Sequence, residues 1–203
     1  MLEYYHLKAN PDESAAKRWV LKAPIHLGFI EDLIKAFPDA DIVWCHRDLA
    51  SNMLSCGTMF RAIEDIFLDK VNLLSMGPGY FQYTNTMFHR ADDALKKNPN
   101  ISCIHVKYSE FVPEPIQMIE SIYKQLGYEF TQEYLTILEN YIAADKIKRK
   151  ELRKKDTRIP VTLETFGSSQ EKIEEQLGWY IEKYLDGGKR LNDGVHKGNG
   201  FSK

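Results

Sequence analysis

The sequence predicts an α/β fold built on a parallel sheet, and three observations within residues 18–55 predict it. Trp19-Val20-Leu21 and Asp41-Ile42-Val43-Trp44-Cys45 are apolar runs of strand length. Between them Leu27, Ile30, Leu33, Ile34 and Phe37 recur at helical spacing until Pro38-Asp39 stops the helix. Each run closes on basic residues, Lys22 after the first, His46 and Arg47 after the second. A strand, helix, strand unit of this length makes a right-handed parallel crossover, and ligands of such sheets sit beyond the carboxyl ends of the strands. Lys22 and Arg47 are therefore expected to face one crevice. Two cations there suit an anion.

A second helix follows at once. Asp48 begins it, and Leu49, Met53, Cys56, Phe60, Ile63 and Phe67 recur every three or four residues. Ser55 lies eight residues after Arg47, roughly two helical turns further on. A guanidinium fork at the helix entrance, a hydroxyl along the helix and the dipole of the helix start could grip one phosphate. An Arg-Asp pair that merely caps the helix is the simpler alternative.

The remaining elements are read in chain order. Phe81, Thr84, Met87, Phe88, Ala91 and Leu95 define a helix after a break at Gly77-Pro78-Gly79. Ile101-Ser102-Cys103-Ile104-His105-Val106 reads as a further strand, running into Lys107-Tyr108-Ser109-Glu110. Pro115 suits a first helical turn, and Ile119, Ile122 and Leu126 follow before Gly127 ends that helix. Tyr134, Leu135, Leu138, Tyr141 and Ile142 mark another. Ser168 with Glu171 has capping-box spacing ahead of Ile173, Leu177, Tyr180, Ile181 and Tyr184. Residues 1–185 thus form one domain, and residues 186–203, rich in Gly, Lys and Asn, are expected to be a disordered tail.

The run from Lys22 to Ser55, in the order lysine, helix, strand, arginine, serine, resembles the sulfotransferases that use 3′-phosphoadenosine 5′-phosphosulfate (PAPS). VLKAPIHL matches the branch with a Lys-x-Pro-x-His-Leu run, and FPDADIVWCHRD resembles its approach to the nucleotide's 3′-phosphate. The resemblance implies a P-loop-NTPase-like three-layer sandwich, with PAPS as co-substrate and no metal. It assigns Arg47 and Ser55 to the 3′-phosphate and Lys22 to the bridging oxygen of the phosphosulfate. Tyr108 matches a tyrosine that lies near the adenine in several members; a ring buried between sheet and helix is the alternative. Leu163-Glu164-Thr165-Phe166-Gly167 resembles the branch's run before its last helix, and Arg158 is the nearest upstream basic residue that could help hold the nucleotide.

Sulfuryl transfer also needs a base. His26, four residues past Lys22, is the candidate, against the reading of a structural histidine at a helix start. The family's 5′-phosphosulfate loop, typically Arg-x-Gly-Thr-Thr, is not found between Met1 and Arg18. The chain therefore reads as the carboxyl-terminal part of a sulfotransferase, either active or a non-catalytic nucleotide- or partner-binding remnant.

Composition sets the outer bounds. With 203 residues the chain can bury a substantial core, and its net charge of −2 argues against a general nucleic-acid or membrane binder. Cys45 and Cys103 lie in apolar runs, as reduced core cysteines do, which favours the cytoplasm, and no stretch has the length of a membrane helix or signal peptide. The six histidines show no metal-ligand spacing. Lys146–Lys155 carries seven basic residues and one acid: a solvated helix face, a segment folding over the nucleotide, or a polyanion site. The acceptor, a small molecule or a carbohydrate by resemblance, and the oligomeric state are not legible.

Overall fold

The computed structural model describes residues 20–154 and 161–185. A 3-10 helix, Pro24–Phe29, leads into α1, Ile30–Ala36, which buries Ile30 and Ile34. Pro24 occupies the first turn, where a missing N–H costs nothing. Strand β1, Ile42–His46, is followed by α2, Leu49–Phe67, and α3, Met76–Lys97. Strand β2, Cys103–Lys107, then leads to α4 (Tyr108–Phe111), α5 (Pro115–Gln125), α6 (Gln132–Lys154) and α7 (Gln170–Tyr180). A π-type turn, Ile181–Leu185, continues from α7. No described helix is long and apolar enough to cross a membrane.

β1 and β2 pair in parallel, in register from Ile42 opposite Cys103 to His46 opposite Lys107. The fold is thus α/β, helix-rich, with a small parallel sheet. Alternation along the strands sends Trp44, His46 and His105 to one face, where α3 and α7 cover them through Phe88 and Tyr180. Leu49 and Met53 of α2, Phe81 of α3, Phe166, and Ile173 and Leu177 of α7 complete this core.

Four expectations are corrected. The described part of the first expected strand, Val20 to Ala23, joins no sheet, and Val20 is 88% exposed. A two-residue apolar run without a neighbouring ladder leaves its backbone to water, so Lys22 does not lie at a strand end. Gly77-Pro78-Gly79 is not a break but the first turn of α3. Pro78 sits where helix N–H groups have no intrahelical partner anyway, and Gly77 is required because a Cβ there would fall 2.4 Å from the Phe166 carbonyl oxygen. The cap of α7 is Ser169, not Ser168: its hydroxyl accepts from the Lys172 N–H at 3.4 Å, while Ser168 is buried. Cys45 is exposed, because Val43 and Cys45 face away from α3 and α7, although Ile104 and Val106 beside them are buried.

Other expectations hold. Asp48 caps α2 by accepting from the Ser51 N–H at 2.8 Å, Pro115 opens α5, and Gly127 ends it with a left-handed φ of +72°. Residues 186–203, the expected tail, lie outside the described residues, as does Lys155 at the end of the basic run.

Candidate functional site

The carboxyl ends of the two strands bring cations together. His46 and Lys107 are register partners at the last rung, and Arg47 follows at the exit of β1. Lys107 is mostly buried and pairs with Glu110 at 3.9 Å. Tyr108 opens α4 immediately after it, and the Arg47 guanidinium lies 5.0 Å from the centroid of its ring. That is cation–π distance, and Tyr108 is 45% exposed rather than buried. Arg47 is therefore held at the entrance of α2 by a ring and by the helix turn that Asp48 caps. Its charge reaches Cys56, nine residues on along α2, where it opposes the upward push of burial on that thiol.

His46 anchors this platform. Its ring is fully buried, with Nδ1 2.6 Å from the Tyr180 hydroxyl and Nε2 2.8 Å from His105 Nδ1. One proton arrangement leaves nothing buried without an acceptor: the Tyr180 O–H donates to His46 Nδ1, and His46 Nε2–H donates to His105 Nδ1. Both imidazoles are neutral in it. Burial first, then His105 and Lys107, lower the His46 pKa to about 3; burial and Lys183 lower that of His105. Tyr184 stacks on His46 at 4.9 Å and donates to Asp92 at 2.6 Å. Asp92 also takes Lys96 at 2.7 Å and Lys183. The backbone that presents Arg47 is thus fixed by side chains from β2, α3 and α7, which is the support a precise anion site needs.

The other expected residues lie on separate elements. Ser55 is exposed on α2. Lys22 is exposed just before the Pro24–Phe29 turn, and His26 is half-buried within that turn, its N–H donating to the Ala23 carbonyl at 3.1 Å. Among the described residues no hydrogen bond or ion pair joins Lys22 or His26 to Arg47, Ser55 or Tyr108. Arg158 lies outside the described residues. The basic run to Lys154 is helical in α6, and Arg149, paired with Asp145, feels Tyr108 electrostatically. The His46–His105–Tyr180 chain and Lys107 escaped the sequence reading. Alternation along β2 does put His105 and Lys107 on one face, but nothing local says that this face meets His46.

Among the described residues no group of His, Cys, Asp or Glu could hold a metal ion. What the arrangement can do is bind an anion at the entrance of α2, with a flat ring beside it.

Comparison with known proteins bears on the fold and the family. The crystal structure of sulfotransferase STF9 from Mycobacterium avium shares the fold with a TM-score of 0.69 and 22% identity, over 82% of this chain and 42% of that one. The chain thus spans less than half the length of that sulfotransferase. No curated protein sequence matches. The family model described as "Sulfotransferase family" matches residues 2–132, well over half of the chain, and the chain belongs to that family.

Proposed function

We propose that the chain binds the adenosine 3′,5′-bisphosphate moiety of PAPS at the carboxyl end of β1, as the donor half of a sulfuryl transfer to a hydroxyl or amine. The observation that carries this reading is the Arg47 guanidinium, fixed at the entrance of α2 over the Tyr108 ring. A bidentate cation at a helix start fits a phosphate, and an exposed aromatic ring beside it fits a purine. The donor set is cationic and aromatic, so the residues present fit the nucleotide.

When bound, PAPS supplies an activated sulfuryl group. Arg47 neutralises the 3′-phosphate, the feature that separates this donor from ATP, and Ser55 adds a rotatable donor. Tyr108 orients the base. Lys22 is assigned to stabilise negative charge developing on the bridging oxygen, and His26 to take the acceptor's proton. Arg158 is a further candidate for holding the nucleotide.

Calorimetric titration with adenosine 3′,5′-bisphosphate, beside adenosine 5′-monophosphate, tests the proposal. The bisphosphate should bind selectively, and Arg47→Ala should weaken it by about 100-fold, the loss of roughly 3 kcal/mol of charge-assisted hydrogen bonding. Equal affinity for both nucleotides, or no change in the variant, refutes it. Binding and transfer are separate outcomes, because no Arg-x-Gly-Thr-Thr run occurs among these 203 residues. Binding without turnover would favour the non-catalytic reading.

A further inference from the structure

The apolar stripe of α2 does not stop where the core stops. Leu49, Met53 and Gly57, in the first half of the helix, are buried. In the second half Met59 (51% exposed), Phe60 (45%), Ile63 (45%), Ile66 (75%) and Phe67 (77%) remain largely in water. At about 100° per residue these five side chains span an arc of roughly 120°, one continuous face. Arg61 and Asp65, which pair with each other at 3.7 Å, lie on the opposite side of the helix.

The size of the stripe argues for a protein partner. With roughly 200 Å² for each fully exposed large side chain, these fractions leave on the order of 600 Å² of apolar surface, more than scattered exposure produces. Two such faces together make about 1,200 Å², the lower end of specific interfaces. Acidic Glu64, Asp65 and Asp69 outnumber Arg61 and Lys70 around it, which disfavours an anionic lipid surface.

The stripe also reads the same in both directions. Around a two-fold axis at Ile63, antiparallel packing sets Met59 against Phe67 of a second copy, Phe60 against Ile66, and Ile63 against itself. Every stripe residue then meets an apolar one, as a closed isologous contact requires. We infer that the second half of α2 is a homodimer interface, two copies packing antiparallel about Ile63.

The interface predicts a concentration-dependent dimer, tested by sedimentation equilibrium of the full chain up to about 100 μM. The expected result is a species of twice the 23.6 kDa chain mass. Ile63→Glu and Ile63→Lys should each be monomeric, because position 63 meets itself and like charges then oppose. An equimolar mixture of the two should dimerise again. Position 63 is half-exposed, so both variants should retain the wild-type circular dichroism. A monomeric wild type overturns the inference. So does a dimer that survives either variant, and so does a mixture that stays monomeric, since any heterologous contact would leave position 63 without its counterpart. Wild type that binds anionic or neutral phosphatidylcholine vesicles in place of dimerising would assign the stripe to lipid instead.

Discussion

Acidification isolates the contribution of one side chain, His46. Its ring is buried and its pKa is lowered from 6.5 to about 3, chiefly by burial. The folded chain therefore binds fewer protons at this site than the unfolded chain throughout that window. Stability rises with pH there; it is fully present above 6.5 and drains away as pH falls toward 3. Between pH 7 and pH 5 the unfolded histidine takes up its proton while the folded one does not. The loss is about 2 kcal/mol, at ~1.36 kcal/mol per unit of pH below 6.5. It barely depends on the folded value, provided that value lies a unit or more below pH 5. His105, lowered in the same direction, adds to it. The assay is urea unfolding at pH 7 and pH 5 for the wild type and His46→Gln. Glutamine can still pair with Tyr180 and His105 but does not titrate in this range. The variant should be less stable at pH 7 and should lose about 2 kcal/mol less than the wild type on acidification. If both proteins lose the same free energy, His46 is not the buried neutral imidazole described here, and the reasoning fails.

The remaining predictions concern packing, charge and binding. A Cβ at Gly57 would fall 2.8 Å from the ring of Phe166, which is fully buried and cannot swing aside. Gly57→Ala should therefore destabilise by about 1–3 kcal/mol from overpacking, despite the roughly 1 kcal/mol that alanine gains in a helix; calorimetric unfolding with Phe166→Leu completes a cycle in which relief by the smaller residue is expected. Asp92 receives Lys96, Lys183 and the Tyr184 hydroxyl, and these bonds outweigh burial to hold its pKa at about 2. Asp92→Asn should cost about 2 kcal/mol at pH 7, read as a lower Tm. The wild-type advantage is present above the ordinary carboxylate pKa of 3.8 and vanishes as pH falls through about 2. Ser55→Ala should weaken adenosine 3′,5′-bisphosphate by about 10-fold, far less than Arg47→Ala, because one neutral donor is lost rather than a fork. An unchanged titration in Ser55→Ala would remove that serine from the site.

Much of the local structure was legible because its causes are local. The helical period from Leu49 to Phe67, Asp48 at its start, Pro115 at a first turn and the left-handed Gly127 each concern neighbours within a turn or two of chain. For the same reason Arg47 could be placed at a strand exit and a helix entrance. Gly77-Pro78-Gly79 was misread locally: composition marks a break, yet a helix start accepts proline, and Phe166, far along the chain, demands the glycine.

Periodicity tells which face of an element is apolar, not which element will cover it. Trp19-Val20-Leu21 and Ile42–His46 carry equally good strand patterns, but only the second finds a partner among the described residues, in Cys103–Lys107. Cys45 sits in an apolar run and is nonetheless exposed, whereas His46 is polar and wholly buried. The reason is that Tyr180, 134 residues away, supplies the hydrogen bond that makes its burial affordable. The sequence by itself determined β1 and β2, the helical periods, the caps at Asp48 and Gly127 and the basic residue at the exit of β1. The tertiary structure alone decided that Tyr108 lies under Arg47, that two histidines share a proton chain behind it, and that half of the α2 stripe is left in water, because each depends on contacts between distant segments.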